Sequence, residues 1–150
     1  MIIERFEKFS LAIAEITHYL HKIAADEMSK YELKWSHALC LMVLSRFRQG
    51  ITATKLCELC GRDKADVSRA IALLREKGLV EKNDVVPKYR ATIMLTEAGF
   101  LAADHIRERA KVAVETASRG VSDDQRAVFY EVLDVIVNNM QTMSEQGVPE

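Results

Sequence analysis

Apolar residues recur along this chain at helical spacing for most of its length. Near the N-terminus Ile2, Phe6, Phe9, Ile13, Ile16, Leu20 and Ile23 follow one another in alternating steps of four and three, a heptad-like seam. A lone helix at a chain end frays, so this seam needs a cover, and a second copy of the chain is the expected one. The mostly polar residues 26–34 read as a connection. Residues 35–47 then predict a second helix, with Leu39, Leu41, Met42, Val43, Leu44 and Phe47 as its apolar set and Gly50 as its close. Thr52 is placed to cap a third helix over residues 53–60, with Leu56, Leu59 and Cys60 facing inward. Gly61 allows a tight turn into a fourth helix, where Val67, Ala70, Ile71 and Leu74 share one face, Asp63 is the N-cap and Gly78 the stop.

The period changes after Gly78. Residues 79–82 read as a strand, 83–88 as a loop and 89–95 as a return strand containing the β-branched Thr92 and Ile93. Two short helices joined at Gly61 and followed by a hairpin make a winged helix-turn-helix by pattern. Thr96 can cap a fifth helix reaching about Arg119, with Phe100, Ala103, Ile106, Ala110, Val114 and Ala117 along one side. After Gly120, the capping box Ser122-x-x-Gln125 opens a sixth. Phe129, Val132, Leu133, Ile136, Val137, Met140 and Met143 give that helix a broad apolar stripe, and residues 144–150 read as a frayed tail. The fold class is mainly α with a small β-wing: a winged helix-turn-helix lobe over residues 35–96, and a helical dimerisation region over 1–34 and 97–145. The chain reads as one domain.

Charge distribution decides more than total charge. The net charge of −1 argues against a nucleic-acid partner, yet residues 46–90 hold eleven Lys/Arg against six Asp/Glu, a net +5. Residues 91–150 hold five against ten, a net −5. Association is steered by local potential, so the basic excess on the candidate reading element favours DNA. No apolar run approaches the roughly eighteen residues that cross a bilayer, and Glu4 and Glu7 interrupt any leader pattern, so the expected location is the cytoplasm, with no membrane partner. Three cysteines, an odd number, fit a reducing compartment better than a disulfide framework.

The segment GRDKADVSRAIALLREKGLV from Gly61, and RATIMLTEAG from Arg90 to Gly99, resemble the recognition helix, wing and following helix of the MarR family of bacterial transcriptional regulators. The resemblance implies an obligate homodimer, with two winged lobes straddling a pseudo-palindromic operator, and repression relieved by a small ligand. Family members commonly carry an acidic residue two positions before the wing arginine, where this chain has Lys88, and Arg90 stands one residue nearer to Leu95-Thr96 than is usual. Asp66 replaces the small hydroxyl residue usual near its place.

On the residues themselves, a helix face of small side chains, hydrogen-bonding groups and cations suits a DNA major groove, which admits one helix. Arg69 leads as a guanine or phosphate contact, Ser68 as a phosphate or base-edge contact, and Lys64 lies where helix N–H groups and a cation jointly hold phosphate. Asp66 accepts from cytosine or orients Arg62 or Arg69, the second reading being the stronger. Thr52, Thr54 and Lys55 are positioning candidates. Lys82, Lys88 and Arg90 of the wing face phosphates or a narrow minor groove, against the plain alternative of a solvated hairpin tip.

Cys57-Glu-Leu-Cys60 has the CxxC spacing of a redox pair or half a zinc site, but no second pair completes four ligands; buried small apolar residues are the stronger reading for these two and for Cys40. His18, His21, His37 and His105 read as hydrogen-bonded or pocket-lining residues rather than metal ligands. Tyr19, Trp35 and His37 are candidates to line a pocket for a small aromatic ligand, and serve equally well as core. No cofactor is expected, and no phosphate-binding glycine loop, nucleophile elbow or His-Glu-x-x-His supports an enzyme. Two alternatives stay open: a cysteine-based redox-responsive regulator of the same fold, and a helical protein-interaction module without DNA binding.

Overall fold

A computed structural model describes residues 1–83 and 91–150. The order of elements is α1 (Ile2–Ser29), α2 (Trp35–Leu44), β1 (Ile51–Thr52), α3 (Ala53–Cys60), α4 (Lys64–Glu76), β2 (Val80–Asn83), β3 (Thr92–Leu95), α5 (Glu97–Ala117) and α6 (Asp123–Gln146). By their internal contacts the residues fall into two units, Met1–Arg109 and Ala110–Glu150.

In the first unit the core is built where α2, α3 and α4 meet the sheet. Leu41 and Leu44 of α2, Leu56 of α3, and Leu74 of α4 are fully buried. Val67, Ala70 and Ile71 complete the inward face of α4, on the residues that the three- and four-residue spacing picks out. The inward ends of the strands add Val80, Ile93 and Leu95. These three alternate with exposed or half-buried neighbours, as a sheet with one packed face requires.

Among the described residues the sheet has three strands, in the order β1-β3-β2, all antiparallel. The expected two-stranded wing thus gains a strand. Ile51 pairs with Ile93 and Thr52 with Thr92, while Val80 pairs with Leu95 and Asn83 with Thr92. Two residues carry no strand signal of their own; β1 exists because β3 offers it a free edge. Strand β2 includes Asn83, one residue beyond the expected Lys82. The remainder of the expected loop and the first part of the return strand, including Lys88 and Arg90, lie outside the described residues.

Three further expectations need correcting. Helix α1 runs on to Ser29, so the connection is only residues 30–34; Met28 is buried and Glu27 is ion-paired, which gives this polar-looking stretch a reason to stay helical. Helix α2 ends at Leu44, and Phe47 packs from the following turn. Leu59 is 43% exposed, because Leu56 and Cys60 already supply the inward line of α3. The positive-φ residues include Glu32, at +56°, in the turn between α1 and α2.

In the second unit, the capping box forms as expected. The Gln125 N–H donates to the Ser122 hydroxyl at 3.2 Å and the Ser122 N–H donates to the Gln125 side chain at 2.9 Å. Helix α6 buries none of its residues, although Phe129, Val132, Val137 and Met140 lie along it.

Candidate nucleic-acid interface

The geometry of the helix-turn-helix starts with its caps. The Lys55 N–H donates to the Thr52 hydroxyl at 3.3 Å, which fixes the start of α3. Gly61 ends α3 in the left-handed conformation, at φ +60°, where a residue with a Cβ would be strained. The Asp66 N–H then donates to the Asp63 carboxylate at 2.8 Å and starts α4. Two caps and one left-handed glycine therefore set the angle between the two helices within a few residues.

With its apolar face buried, α4 presents Lys64, Ala65, Ser68, Arg69 and Ala72 to solvent. The side chain of Asp66 stands between two guanidinium groups: Arg69 Nη2 donates to its Oδ1, and Arg62 Nη1 lies 3.7 Å from its Oδ2. One carboxylate thus pairs with Arg69 of α4 and with Arg62 of the turn before it, leaving a net single positive charge and free donor capacity on both guanidiniums. The orienting role is the one this arrangement serves. These ion pairs are exposed and add little stability of their own.

The other expected residues are placed as follows. Thr54 and Lys55 are exposed on the first turn of α3, and Lys55 Nζ is 3.3 Å from Glu58. Thr52 is half-buried, with its hydroxyl engaged in the cap. Lys82 is half-buried on β2. Lys88 and Arg90 lie outside the described residues.

The joint that supports α4 rests on residues near Thr96. The Thr96 hydroxyl donates to the Gly78 carbonyl at 2.7 Å and accepts from the Gly99 N–H at 3.1 Å. One side chain thereby ties the turn after α4 to the start of α5. The cap is legible from sequence; the second bond, eighteen residues back, is not. The Thr96 N–H also donates to the Leu79 carbonyl at 3.1 Å.

Of the ligand-pocket candidates, Tyr19 is exposed, its ring 5.5 Å edge-on from that of His18. Trp35 is half-buried. His37 is buried, and its Nδ1 accepts from the Lys34 N–H at 3.0 Å, so the imidazole is committed to starting α2. Burial, with the positive charges of Lys34 and Lys77, holds its pKa below the usual histidine range and keeps the acceptor free of a proton. His105 meets Tyr31: the phenol oxygen lies 2.5 Å from Nε2, with ring centroids 5.0 Å apart. Among the described residues no three His, Cys, Asp or Glu are grouped to hold a metal ion. Cys57 is half-buried, while Cys60 and Cys40 are buried. No described helix is long and apolar enough to cross a membrane.

Two capped helices that turn about a glycine, an outward face of the second helix with Arg69 paired to Asp66, and a three-stranded antiparallel sheet define a winged helix-turn-helix. Residues 31–87 match the model of the MarR family. Solved structures extend the likeness in fold beyond that segment. The MarR family transcription regulator SP03579 superposes with a TM-score of 0.85 at 15% identity, covering 95% of this chain and 94% of its own. The transcriptional regulator SlyA gives a TM-score of 0.74 at 24% identity, over 93% and 96%. MepR in complex with DNA, from Staphylococcus aureus, gives a TM-score of 0.74 at 16% identity, over 88% and 96%. A comparison with curated proteins found no match. The fold of the chain is that of a winged helix-turn-helix protein, and residues 31–87 are similar to the MarR family.

Proposed function

We propose that this chain is a dimeric, sequence-specific DNA-binding transcriptional regulator of the cytoplasm, acting as a repressor that a small ligand releases from a pseudo-palindromic operator. The observation that carries the reading is the outward face of α4, where Lys64, Ser68 and Arg69 are exposed and Asp66 aligns Arg62 and Arg69. Preset guanidiniums lose less freedom on meeting a guanine edge or a phosphate. A relative of this fold, MepR, is solved in complex with DNA, which supports the same use here.

Dimerisation is argued from what the chain leaves uncovered. Phe6 is 67% exposed, Leu20 59% and Phe129 56%, and Ile13, Ile16, Ile23, Val132 and Met140 are exposed with them. Apolar faces of this extent on α1 and α6 need a cover, and a second copy supplies it symmetrically. Two copies would then place two α4 helices about 34 Å apart, one turn of DNA, and a ligand that prefers another spacing would lower affinity without touching α4.

Selection of bound sites from a random duplex pool, followed by gel shifts, tests this reading. Arg69→Ala should weaken binding to the selected site by about 1–3 kcal/mol while generic DNA is held nearly as before. Equal affinity of Arg69→Ala and the unmodified chain for the selected site would remove Arg69 from the interface.

A further inference from the structure

Two arginines meet Asp66, and they meet it differently. Arg69, three residues further along α4, donates from Nη2 to Oδ1 in a charge-assisted hydrogen bond. Arg62, in the turn before α4, brings Nη1 only to 3.7 Å from Oδ2, beyond hydrogen-bond length. Their places on the surface separate them further. Ala65, Ser68, Arg69 and Ala72 follow one another at helical spacing and all four are exposed, on the side of α4 opposite its buried face. Arg69 therefore rises from an outward face whose other side chains are short, which lets the helix come close to a groove floor and leaves the guanidinium as the group that reaches furthest.

We propose that Asp66 divides the work of the two arginines: it holds Arg69 for the edge of a guanine and keeps it from phosphate, while Arg62 stays free to take phosphate. This division rests on the proposed function and names what the interface recognises, a guanine at a fixed place in each half-site. Asp66 acts through Arg69 and is a positioning residue of that interface.

Phosphate is the wrong partner for Arg69 on charge. A phosphate oxygen bound by that guanidinium would also face the Asp66 carboxylate, anion against anion. Guanine offers O6 and N7 instead, two acceptors on an uncharged base, so the carboxylate can stay where it is. A guanidinium carries five N–H donors in a rigid fork; the bond to Asp66 uses one of them and leaves enough for both acceptors. Entry into the groove strips water from the pair, which strengthens the bond where it must hold the fork still. Arg62 has no such bond to lose. Its longer separation from the carboxylate leaves it able to turn toward the backbone that flanks the groove, where contacts fix position rather than sequence.

The test uses the full chain, a duplex carrying a site selected by it, and a generic duplex. Anisotropy titrations compare the unmodified chain with Asp66→Asn, Arg69→Ala and Arg62→Ala, the fold of each followed by circular dichroism. Replacing the contacted guanine of each half-site by 7-deazaguanine removes N7 and leaves base pairing intact. That change should weaken binding of the unmodified chain about fivefold or more, and of Arg69→Ala by less than about twofold. Asp66→Asn should tighten generic binding, steepen its salt slope by about one as the released Arg69 joins the phosphates, and lower the ratio of specific to generic affinity about tenfold or more. Arg62→Ala should make the slope shallower by about one on either duplex and keep the 7-deazaguanine effect. Specific and generic affinities that shift together in Asp66→Asn, a selected half-site without guanine, or an Arg69→Ala chain as sensitive to 7-deazaguanine as the unmodified one would each overturn the division. An unmodified chain that binds no duplex would instead overturn the proposed function, and the division with it.

Discussion

Replacing Gly99 by alanine should destabilise this protein well beyond what an ordinary helical glycine would show. A Cβ built on Gly99 would lie 2.0 Å from the Leu79 carbonyl oxygen, 3.0 Å from its carbon and 3.2 Å from Leu95 Cβ. The oxygen belongs to backbone that already accepts from the Thr96 N–H, so no side chain can rotate aside. An ordinary carbon–oxygen contact is about 3.3 Å, so the first turn of α5 must retreat by about 1.3 Å. Overpacking of this kind costs about 1–3 kcal/mol or more, and weakening the Thr96–Leu79 bond adds about 1 kcal/mol. Removing a helical glycine returns about 1 kcal/mol. The net loss is about 1–3 kcal/mol, a fall in Tm of roughly 5 °C for a chain of this length. Urea unfolding followed by circular dichroism at one fixed protein concentration measures it, with Ala98→Gly, at the exposed neighbouring position, as the propensity control. If Gly99→Ala were as stable as the unmodified chain, or more so, the close approach of α5 to the end of α4 would be wrong.

Two further outcomes follow from other parts of the molecule. Ile16→Glu places a charge within the exposed apolar face of α1 and should convert a dimer to a monomer in sedimentation velocity at micromolar concentration, with helical content retained; an unchanged dimer would move the interface elsewhere. Glu27 accepts from Arg109 Nε at 2.5 Å and from Lys30 at 2.6 Å, and these bonds lower its pKa to about 2. Its folded pKa lies below its unfolded one, so its contribution is complete above about pH 4.5 and is lost as pH falls from there through about 2. Glu27→Gln should therefore flatten acid unfolding in that window and leave the slope near neutrality alone; identical slopes for the two proteins would contradict the pairing.

What the sequence made legible follows the range of the forces involved. The inward face of α4, its Asp63 cap, the Thr52 cap and the Ser122–Gln125 box are local patterns, and the structure forms each of them. Strand β1 was not legible, because Ile51 and Thr52 become a strand only by pairing with β3. The end of α1 was misread for a similar reason: residues 26–29 look polar, yet Glu27 pairs with Arg109, distant in sequence, and Met28 is buried. That Cys40 of α2 and Cys60 of α3 share one core lies beyond any spacing rule, since it depends on how the two helices pack. At the candidate interface, sequence reasoning named Arg62, Asp66 and Arg69 and the orienting role of the carboxylate; that one Asp holds both arginines at once needed coordinates.

The central claim is that the exposed face of α4 reads duplex DNA. Fluorescence anisotropy of a labelled duplex carrying a selected site, titrated across a range of salt concentrations, tests it most directly. An interface neutralising about four to eight phosphates predicts that log K falls linearly with log salt, with a slope of roughly −4 to −7, and that the slope becomes shallower when Lys64 is replaced by alanine. Anisotropy that stays flat at low salt for every duplex, selected or generic, would contradict it.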